Sequence, residues 1–181
     1  MSRKRTLVVH YSRTGRTRRV AELLAGDLRA DLEEIADRGG RLGAVGYLRC
    51  ALEGILGAST PIEPSRRLPA DYDLVVVGTP VWYASVSSPV RTYLGLNRHR
   101  LPRIAFFLTH GGFGGERVLG QMRALAGREP IAKLVLRERE IESGAHRKKI
   151  ADFARRLRAG ARKSSRSAPA PRPRSASGRD A

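Results

Sequence analysis

The sequence predicts an α/β domain in which a parallel sheet carries helices on both faces. Short apolar runs, rich in β-branched and aromatic residues, alternate along the chain with segments whose apolar residues recur at helical spacing. Two of the runs, at 72–79 and 103–109, are nearly continuous in apolar residues, as expected of strands that are covered on both faces. Alternation of this kind is typical of a parallel sheet, and right-handed crossovers restrict its topology.

Five segments have the composition of strands, and the second of them is a weaker candidate for the edge of the sheet. They are 6–11 (TLVVHY), 30–36 (ADLEEIA), 72–79 (YDLVVVGT), 103–109 (RIAFFLT) and 131–136 (IAKLVL). Three further segments have apolar stripes at helical spacing. The stripes are Val20, Leu23, Leu24 and Leu28; Val118, Met122 and Leu125; and Ile150, Phe153, Ala154 and Leu157. Each predicted helix therefore has one face for the sheet.

An extra amphipathic helix is predicted near 44–57, where the sequence reads AVGYLRCALEGILG. Its paired apolar residues lie on one face and glycines flank it. We interpret it first as a helix packed on the sheet. A partner-binding or dimer face is the alternative, so an oligomer is possible.

Length and composition predict a single domain of a cytoplasmic protein. The chain has 181 residues, which suggests one domain. Cys50 is the only cysteine, so an intrachain disulfide and a cysteine-rich metal site are excluded. No apolar stretch approaches the roughly 20 residues that span a bilayer. The basic start MSRKRT is not followed by the apolar region of a signal peptide.

The charge balance is strongly basic, with 35 Lys and Arg against 17 Asp and Glu, for a net charge of +18. Part of this charge is in the segment 161–181, which is rich in Ser, Pro, Ala and Arg and has no apolar periodicity. We expect residues 1–160 to form the domain and 161–181 to be a basic disordered tail. A field of this sign attracts nucleic acid, acidic proteins or anionic lipid.

The segment SRTGRT follows the first predicted strand and opens a helix. Ser12, Thr14 and Thr17 supply hydroxyl groups, and Gly15 permits a tight turn. The free N–H groups of the helix start would point into the same space, as in a phosphate-binding loop. It is not a Walker A loop, because Arg16 stands where that motif needs lysine. An ordinary capped helix start explains the same residues equally well.

The segment GTPVWYASVSSPV follows the next core strand. Thr79 and Pro80 predict a sharp turn at the strand end. Trp82 and Tyr83 then come in a loop where a planar ring could stack on the indole. The alternative is a tryptophan that packs on the protein itself.

The segment THGGFGGE follows the fourth strand. Its glycines leave the backbone N–H and C=O groups free to reach the edge of a flat ligand. We interpret His110 as a hydrogen-bonding loop residue and Glu116 as an acid that favours the positive end of the next helix. Together the three segments fit a phosphorylated, planar heterocycle at one end of one sheet.

At these residues the sequence resembles the flavodoxin-like family. SRTGRT satisfies that family's S/T-x-T-G-x-T phosphate loop at every fixed position, and GTPVW resembles its second flavin loop. The resemblance covers about 7–157 and implies a five-stranded parallel sheet in the order 2-1-3-4-5, with noncovalent FMN at the strand ends. Since no long insertion interrupts the fifth strand, a short-chain form is implied.

The resemblance also implies the residues of the site. The phosphate is expected on Ser12, Arg13, Thr14, Gly15, Arg16 and Thr17. The isoalloxazine ring is expected against Thr79, Pro80, Val81, Trp82 and Tyr83. Its pyrimidine side is expected against Thr109, His110, Gly111 and Gly112. No protein side chain is expected to be catalytic, since the flavin supplies the chemistry, and no metal site is expected.

Two features differ from the electron-carrier members of that family, which are acidic. Here the body is basic, and the third loop is rich in glycine and contains Phe113, which is closer to flavodoxin-like quinone and flavin reductases. The first interpretation is an FMN-dependent redox protein that transfers electrons to or from a protein partner or a small acceptor such as a quinone. The alternative is an NAD(P)H-dependent quinone or FMN reductase.

An alternative of another class is a basic nucleic-acid-associated binding protein. The sequence contains no recognition-helix motif and no interleaved aromatic stripe. We therefore expect no specific nucleic acid as a partner.

Overall fold

The computed structural model describes residues 5–37 and 59–166, with the side chains described as far as residue 160. The helix predicted near 44–57 lies outside the described residues. The strands are β1 (Thr6–His10), β2 (Asp31–Glu34), β3 (Leu74–Trp82), β4 (Ser85–Val86), β5 (Arg103–His110) and β6 (Lys133–Arg137). The helices are α1 (Arg16–Leu28), α2 (Ser88–Asn97), α3 (Gly115–Ala126), α4 (Glu138–Ser143) and α5 (His146–Arg166), with a single 3₁₀ turn at Pro69–Asp71.

Five parallel strands form the sheet in the order β2-β1-β3-β5-β6, and the short β4 pairs only with β3, in antiparallel orientation. This confirms the predicted α/β class. The predicted order 2-1-3-4-5 holds when the two-residue β4 is left out of the count. A sheet of this order is wound in both directions from β1, because the chain goes to β2 on one side and later to β3 on the other.

The core has two layers, one on each face of the sheet. Val75 and Val77 point to the face that α2 and α3 cover, whereas Val76 points to the face that α1 and α5 cover. This alternation follows from the period of two along a strand. It explains why the run at 72–79 is apolar at nearly every position.

The final helix confirms its predicted stripe. Ile150, Phe153, Ala154 and Leu157 are all buried. The helix continues through residues 161–166, beyond the domain boundary predicted at residue 160. Residues 167–181 of the predicted tail lie outside the described part of the chain. Nowhere in the described part is there a helix with the length and hydropathy needed to cross a bilayer.

The predicted turn at Thr79 and Pro80 is wrong. The strand β3 runs through both residues to Trp82, and the chain reverses at Tyr83 and Ala84 into β4. β1 ends opposite Gly78, so beyond that point β3 has β5 on one side and only β4 on the other. A proline is tolerated on such an open edge because few ladder donors are needed there.

Candidate functional site

Three loops meet at the carboxyl edge of the sheet, where the strand order reverses between β1 and β3. They are the segment 11–15 after β1, the turn of the β3–β4 hairpin, and the segment 111–114 after β5. In open parallel sheets this is the place where ligands bind. The order of the strands thus brings together the three segments that the sequence singles out.

The first loop ends at Gly15, whose φ of +87° is left-handed and favours glycine. The N–H of Gly15 donates to the Ser12 hydroxyl at 3.1 Å. No side chain caps α1 in the described part of the chain, although its first N–H groups have no partner within the helix. The space where a Cβ on Gly15 would lie is open, and Thr14 is exposed. The loop therefore offers backbone donors and a hydroxyl to an anion.

Thr17, in the first turn of α1 behind the first loop, contacts the end of β5, just before the third loop. Its hydroxyl lies 2.8 Å from that of Thr109, and both residues are buried, with 2% and 3% of their surface exposed. Either hydroxyl can be the donor. If Thr109 donates, the Thr17 O–H stays available for a ligand oxygen in the first loop.

Arg16 points towards α4. Its guanidinium donates to Glu142 at 2.7 Å and lies 3.7 Å from Glu138. The hydrogen bond from Arg16 to Glu142 and the charge of Glu138 raise the pKa of Arg16. Because two carboxylates offset this charge, Arg16 contributes less field to the loop than its position in SRTGRT suggests. Arg13 is half-buried beside it.

Thr79 holds the two ends of the β3–β4 hairpin together. Its hydroxyl is fully buried and lies 2.9 Å from the Ser87 hydroxyl, and the Ser87 N–H donates to it at 3.3 Å. Pro80 and Val81 are half-buried. The side chain of Thr79 therefore positions the hairpin, whereas Pro80 and Val81 keep some surface towards the edge.

Trp82 packs on the protein itself, which is the alternative that the sequence left open. It is 9% exposed and lies edge-to-face on Tyr11, with ring centroids 5.5 Å apart and planes at 88°. Tyr83 is 46% exposed, and in the third loop Phe113 is 72% exposed. The aromatic surface that the loops leave open is thus that of Tyr83 and Phe113. Phe113 was not among the predicted site residues.

The turn that carries Tyr83 is strained and is held by a neighbouring helix. Tyr83 and Ala84 have φ values of +48° and +56°, which are uncommon for residues with a Cβ. The Gln121 side-chain oxygen accepts from the Val86 N–H at 2.9 Å and from the Ser85 hydroxyl at 3.2 Å. Sequence reasoning missed Gln121, because α3 gives no local signal that it supports a hairpin 35 residues away.

The third loop packs against the same turn. Gly114 has a φ of +86°, and a Cβ there would lie 2.7 Å from Ala84, so this contact requires glycine. Gly111 and Gly112 are exposed and have open space around them. The hairpin turn and the glycine-rich loop therefore form one continuous wall.

His110 lies beneath the third loop. It is 7% exposed, and its Nδ1 has no hydrogen-bond partner. Burial and the nearby Arg137 charge lower the pKa of His110, so the ring is neutral at pH 7. It lines a cavity of about 340 Å³ together with Val135 and residues of the segment 112–117.

Comparison with known proteins supports the fold. No protein-family model matches the chain, and no curated protein matches it. Among solved structures, a flavoprotein from Lactobacillus acidophilus in complex with FMN is similar at a TM-score of 0.65 and 24% identity, over 78% of this chain and 98% of that one. The chain has the flavodoxin-like fold.

Two further structures with this fold are similar over most of their length. The flavodoxin, WrbA-like protein from Agrobacterium tumefaciens has a TM-score of 0.58 and 18% identity, over 88% of this chain and 99% of that one. A short-chain flavodoxin associated with a non-canonical PDU bacterial microcompartment has a TM-score of 0.54 and 14% identity, with the same coverage of 88% and 99%. At these identities the likeness establishes the fold only. The ligand has to be inferred from the residues of the site.

One buried histidine in this flavodoxin-like sheet was not singled out as a functional residue by sequence reasoning. His10 is the last residue of β1 and is 1% exposed, and neither ring nitrogen has a hydrogen-bond partner. Burial lowers the pKa of His10 to about 4, although the Glu34 carboxylate opposes that shift. His10 is therefore neutral below the first loop and makes the folded state sensitive to acid.

Proposed function

We propose that this chain is a redox protein that binds FMN noncovalently at the carboxyl edge of its sheet and transfers electrons to or from a protein partner or a small acceptor. One observation carries the proposal. The start of α1 behind Gly15 has no side-chain cap, and it lies within an S/T-x-T-G-x-T loop at the point where the strand order reverses. That arrangement suits a terminal phosphate dianion. A solved structure of the same fold contains FMN.

The residues of the first loop fit the phosphate. The backbone N–H groups at the start of α1 and the exposed Thr14 hydroxyl are donors. The Thr17 hydroxyl is a further donor when Thr109 donates to it. Hydrogen bonds to a charged acceptor are worth about 1.5–3 kcal/mol each. This loop would therefore supply much of the affinity for FMN and little of that for riboflavin.

The other two loops would border the ring. Pro80 and Val81 offer half-buried surface, and the exposed aromatic rings of Tyr83 and Phe113 offer flat surfaces. The bound flavin would supply the electron-transfer chemistry, and the chain would bind it, orient it and exclude water. The backbone at Gly111 and Gly112 has the open space needed to approach the edge of the ring.

An NAD(P)H-dependent quinone or FMN reductase is the second candidate. An open depression of about 340 Å³ beside the glycine-rich loop favours it, because a reductase needs space for a second small molecule. Steady-state oxidation of NAD(P)H with a quinone separates the two functions. Turnover supports the reductase, and its absence together with reduction by a protein donor supports the carrier.

The test of the proposal is a binding titration. Flavin-free protein is titrated with FMN, FAD and riboflavin, and the quenching of flavin fluorescence is followed. We expect one FMN per chain. Riboflavin lacks the phosphate, so it should bind at least tenfold more weakly, which corresponds to about 1.4 kcal/mol. Equal affinity for riboflavin and FMN would contradict the phosphate assignment.

A further inference from the structure

Seven cations lie at the amino edge of the sheet, at the end of the molecule opposite the candidate flavin site. Six of them follow helices or begin strands, so the topology brings them to one edge, and Arg158 of α5 contacts the end of α1 there. This amino-edge cluster consists of Arg29, Arg98, Arg100, Arg103, Arg128, Lys133 and Arg158. All are exposed except Arg103, which is half-buried.

Two arginines of the cluster are held by backbone carbonyls, and none is paired with a carboxylate in the described residues. Arg128 donates to the Pro102 carbonyl at 2.8 Å, and Arg158 donates to the Asp27 carbonyl at 3.0 Å. The Arg98 guanidinium lies against Gly127, where an added Cβ would come within 2.5 Å of it. A guanidinium has five N–H donors, so each of these keeps most of its donors for a ligand.

The positive charge of the cluster is not neutralised within the described residues. None of the seven takes part in an ion pair shorter than 4 Å there. The carboxyl ends of α1, α2 and α3 lie at the same edge, and each helix end is worth about half a negative charge. Those dipoles explain why single cations are favourable at this edge, and they offset about 1.5 charges. Carboxylates near the same edge lower its net charge further, although two of them, Asp31 and Glu129, pair with Arg5 and Arg123 outside the cluster; the others are Asp27, Asp71 and Asp73.

We propose that the amino-edge cluster binds the phosphate backbone of duplex nucleic acid without reading its sequence. Guanidinium groups match phosphate geometry and are weakly hydrated. Five strands at about 4.8 Å spacing make the edge about 19 Å wide. Duplex DNA presents one charge per about 1.7 Å of its axis. An edge of this width therefore faces enough phosphates to engage the whole cluster.

The placement of the aromatic residues favours a duplex over a single strand. Single-strand binders stack bases on exposed aromatic rings. In the described residues, the exposed tyrosine and phenylalanine side chains are Tyr83 and Phe113, and both belong to the carboxyl edge. His99 is the exposed aromatic ring beside the cluster, so among the described residues the amino edge offers many phosphate contacts and little surface for base stacking.

If an acidic protein bound the same edge, exposed apolar side chains would contribute to the interface in addition to the cations. Leu96 and Ile131 are exposed large apolar side chains beside the cluster, at 70% and 42%, and protein interfaces draw on apolar anchors. Replacing both by glutamine removes these anchors and keeps every cation. Duplex binding should be unchanged in that variant, whereas docking of a protein should be weakened.

The experiment measures fluorescence anisotropy of a labelled 30-base-pair duplex with the full chain at several salt concentrations. In the first variant, Arg98, Arg103, Arg128 and Arg158 are all changed to glutamine. In the matched control, Arg19, Arg139, Arg147 and Lys148 are changed to glutamine. These four are exposed, lie towards the carboxyl edge and make no ion pair in the described part of the chain. Both variants have four fewer positive charges and keep residues 161–181.

We expect the first variant to bind the duplex at least tenfold more weakly at 150 mM salt, and the control to bind less than threefold more weakly. The slope of log affinity against log salt should become shallower by about 0.9 for each phosphate that the variant no longer neutralises. Equal weakening in both variants would show that net charge alone attracts DNA and would overturn the proposal. So would an absence of binding by the wild-type chain. Competition by polyglutamate as effective as that by DNA, or weaker binding in the Leu96 and Ile131 variant, would point to an acidic protein instead.

A second variant keeps the test decisive if the first does not fold. Arg29, Arg100 and Lys133 form no side-chain hydrogen bond in the described residues, so changing them to glutamine should leave the thermal midpoint unchanged. It should also weaken duplex binding severalfold, and unchanged binding would overturn the proposal. The duplex result is independent of flavin binding, because the two edges are at opposite ends of the strands.

Discussion

The pair of hydroxyls that joins Thr17 to Thr109 should stabilise the fold as well as the flavin site. The two oxygens are 2.8 Å apart and buried. Changing Thr17 to valine keeps the volume and removes one hydroxyl, so the Thr109 hydroxyl is left without its partner and away from water. A buried polar group left without a partner costs about 1–3 kcal/mol. For a chain of this size, that corresponds to a fall of roughly 2–12 °C in the thermal midpoint.

Chemical denaturation of the flavin-free protein measures this effect without a contribution from the ligand. The set is Thr17→Val, Thr109→Val, the double variant, and Thr6→Val as a control at the far end of β1. Each single change at the pair should lower the free energy of unfolding. The double variant should lose less free energy of unfolding than the two single variants lose in sum, because replacing both partners by apolar groups is nearly neutral.

The two hydroxyls do not form a stabilising pair if the double variant is destabilised by the full sum of the two single changes. The reasoning is also refuted if Thr17→Val is as stable as the wild-type protein, because the hydroxyl pair would then contribute nothing to folding. In either case the side-chain volume is unchanged, so altered packing would not explain the measured stability. Residues other than this pair would then have to stabilise the contact between α1 and β5.

Three further predictions concern single positions. Thr14→Val removes an exposed hydroxyl and should weaken FMN binding by about 1–3 kcal/mol in a fluorescence titration, with an unchanged thermal midpoint; unchanged affinity would contradict the loop assignment. Gly114→Ala should lower the free energy of unfolding by at least about 1 kcal/mol in urea denaturation. Its Cβ would meet Ala84 at 2.7 Å, and its φ is left-handed. Gly111→Ala is the control and should leave the free energy of unfolding unchanged, because the space around Gly111 is open. His10 is neutral when folded, with a pKa lowered from 6.5 to about 4, so stability should be full above pH 6.5 and fall by up to about 3 kcal/mol as the pH approaches 4. His10→Leu should flatten that fall in urea denaturation at several pH values, and an identical pH profile would exclude His10 as its source.

The parts of the fold that the sequence predicts are those set by local periodicity. The alternation of Val75, Val76 and Val77 between two core layers needs only the period of a strand, and the α5 stripe needs only that of a helix. The first loop is predictable for the same reason. Its hydroxyls and Gly15 are contiguous, and a strand before it and a helix after it fix the backbone.

The hairpin was mispredicted because its conformation depends on distant strands. Thr79 and Pro80 form a strong local turn signal. The strand nevertheless continues, since β5 pairs with it as far as Pro80 and β4 pairs beyond. That continuation decides which way Trp82 points, and it places the indole on Tyr11. No local pattern indicates where a neighbouring strand ends.

The charge of the first loop is also set by a distant element. SRTGRT alone presents two arginines, but Arg16 is paired with Glu142, 126 residues further along the chain. An estimate of the field from the loop sequence alone is therefore too positive at the phosphate position. The helix start remains a positive group there.

Three non-local contacts join the strands and helices that carry the three loops. They are the hydroxyl pair of Thr17 and Thr109, the bond from Val86 to Gln121, and the pair of Arg16 with Glu142. We expect these contacts to limit the ordering cost that a ligand has to overcome. FMN binding should then stabilise the chain by mass action alone, by about 2.7 kcal/mol at a free concentration 100 times the dissociation constant. If the phosphate binds at the first loop as proposed, it should add charge-assisted bonds to a loop whose neighbouring elements are joined by contacts within the chain.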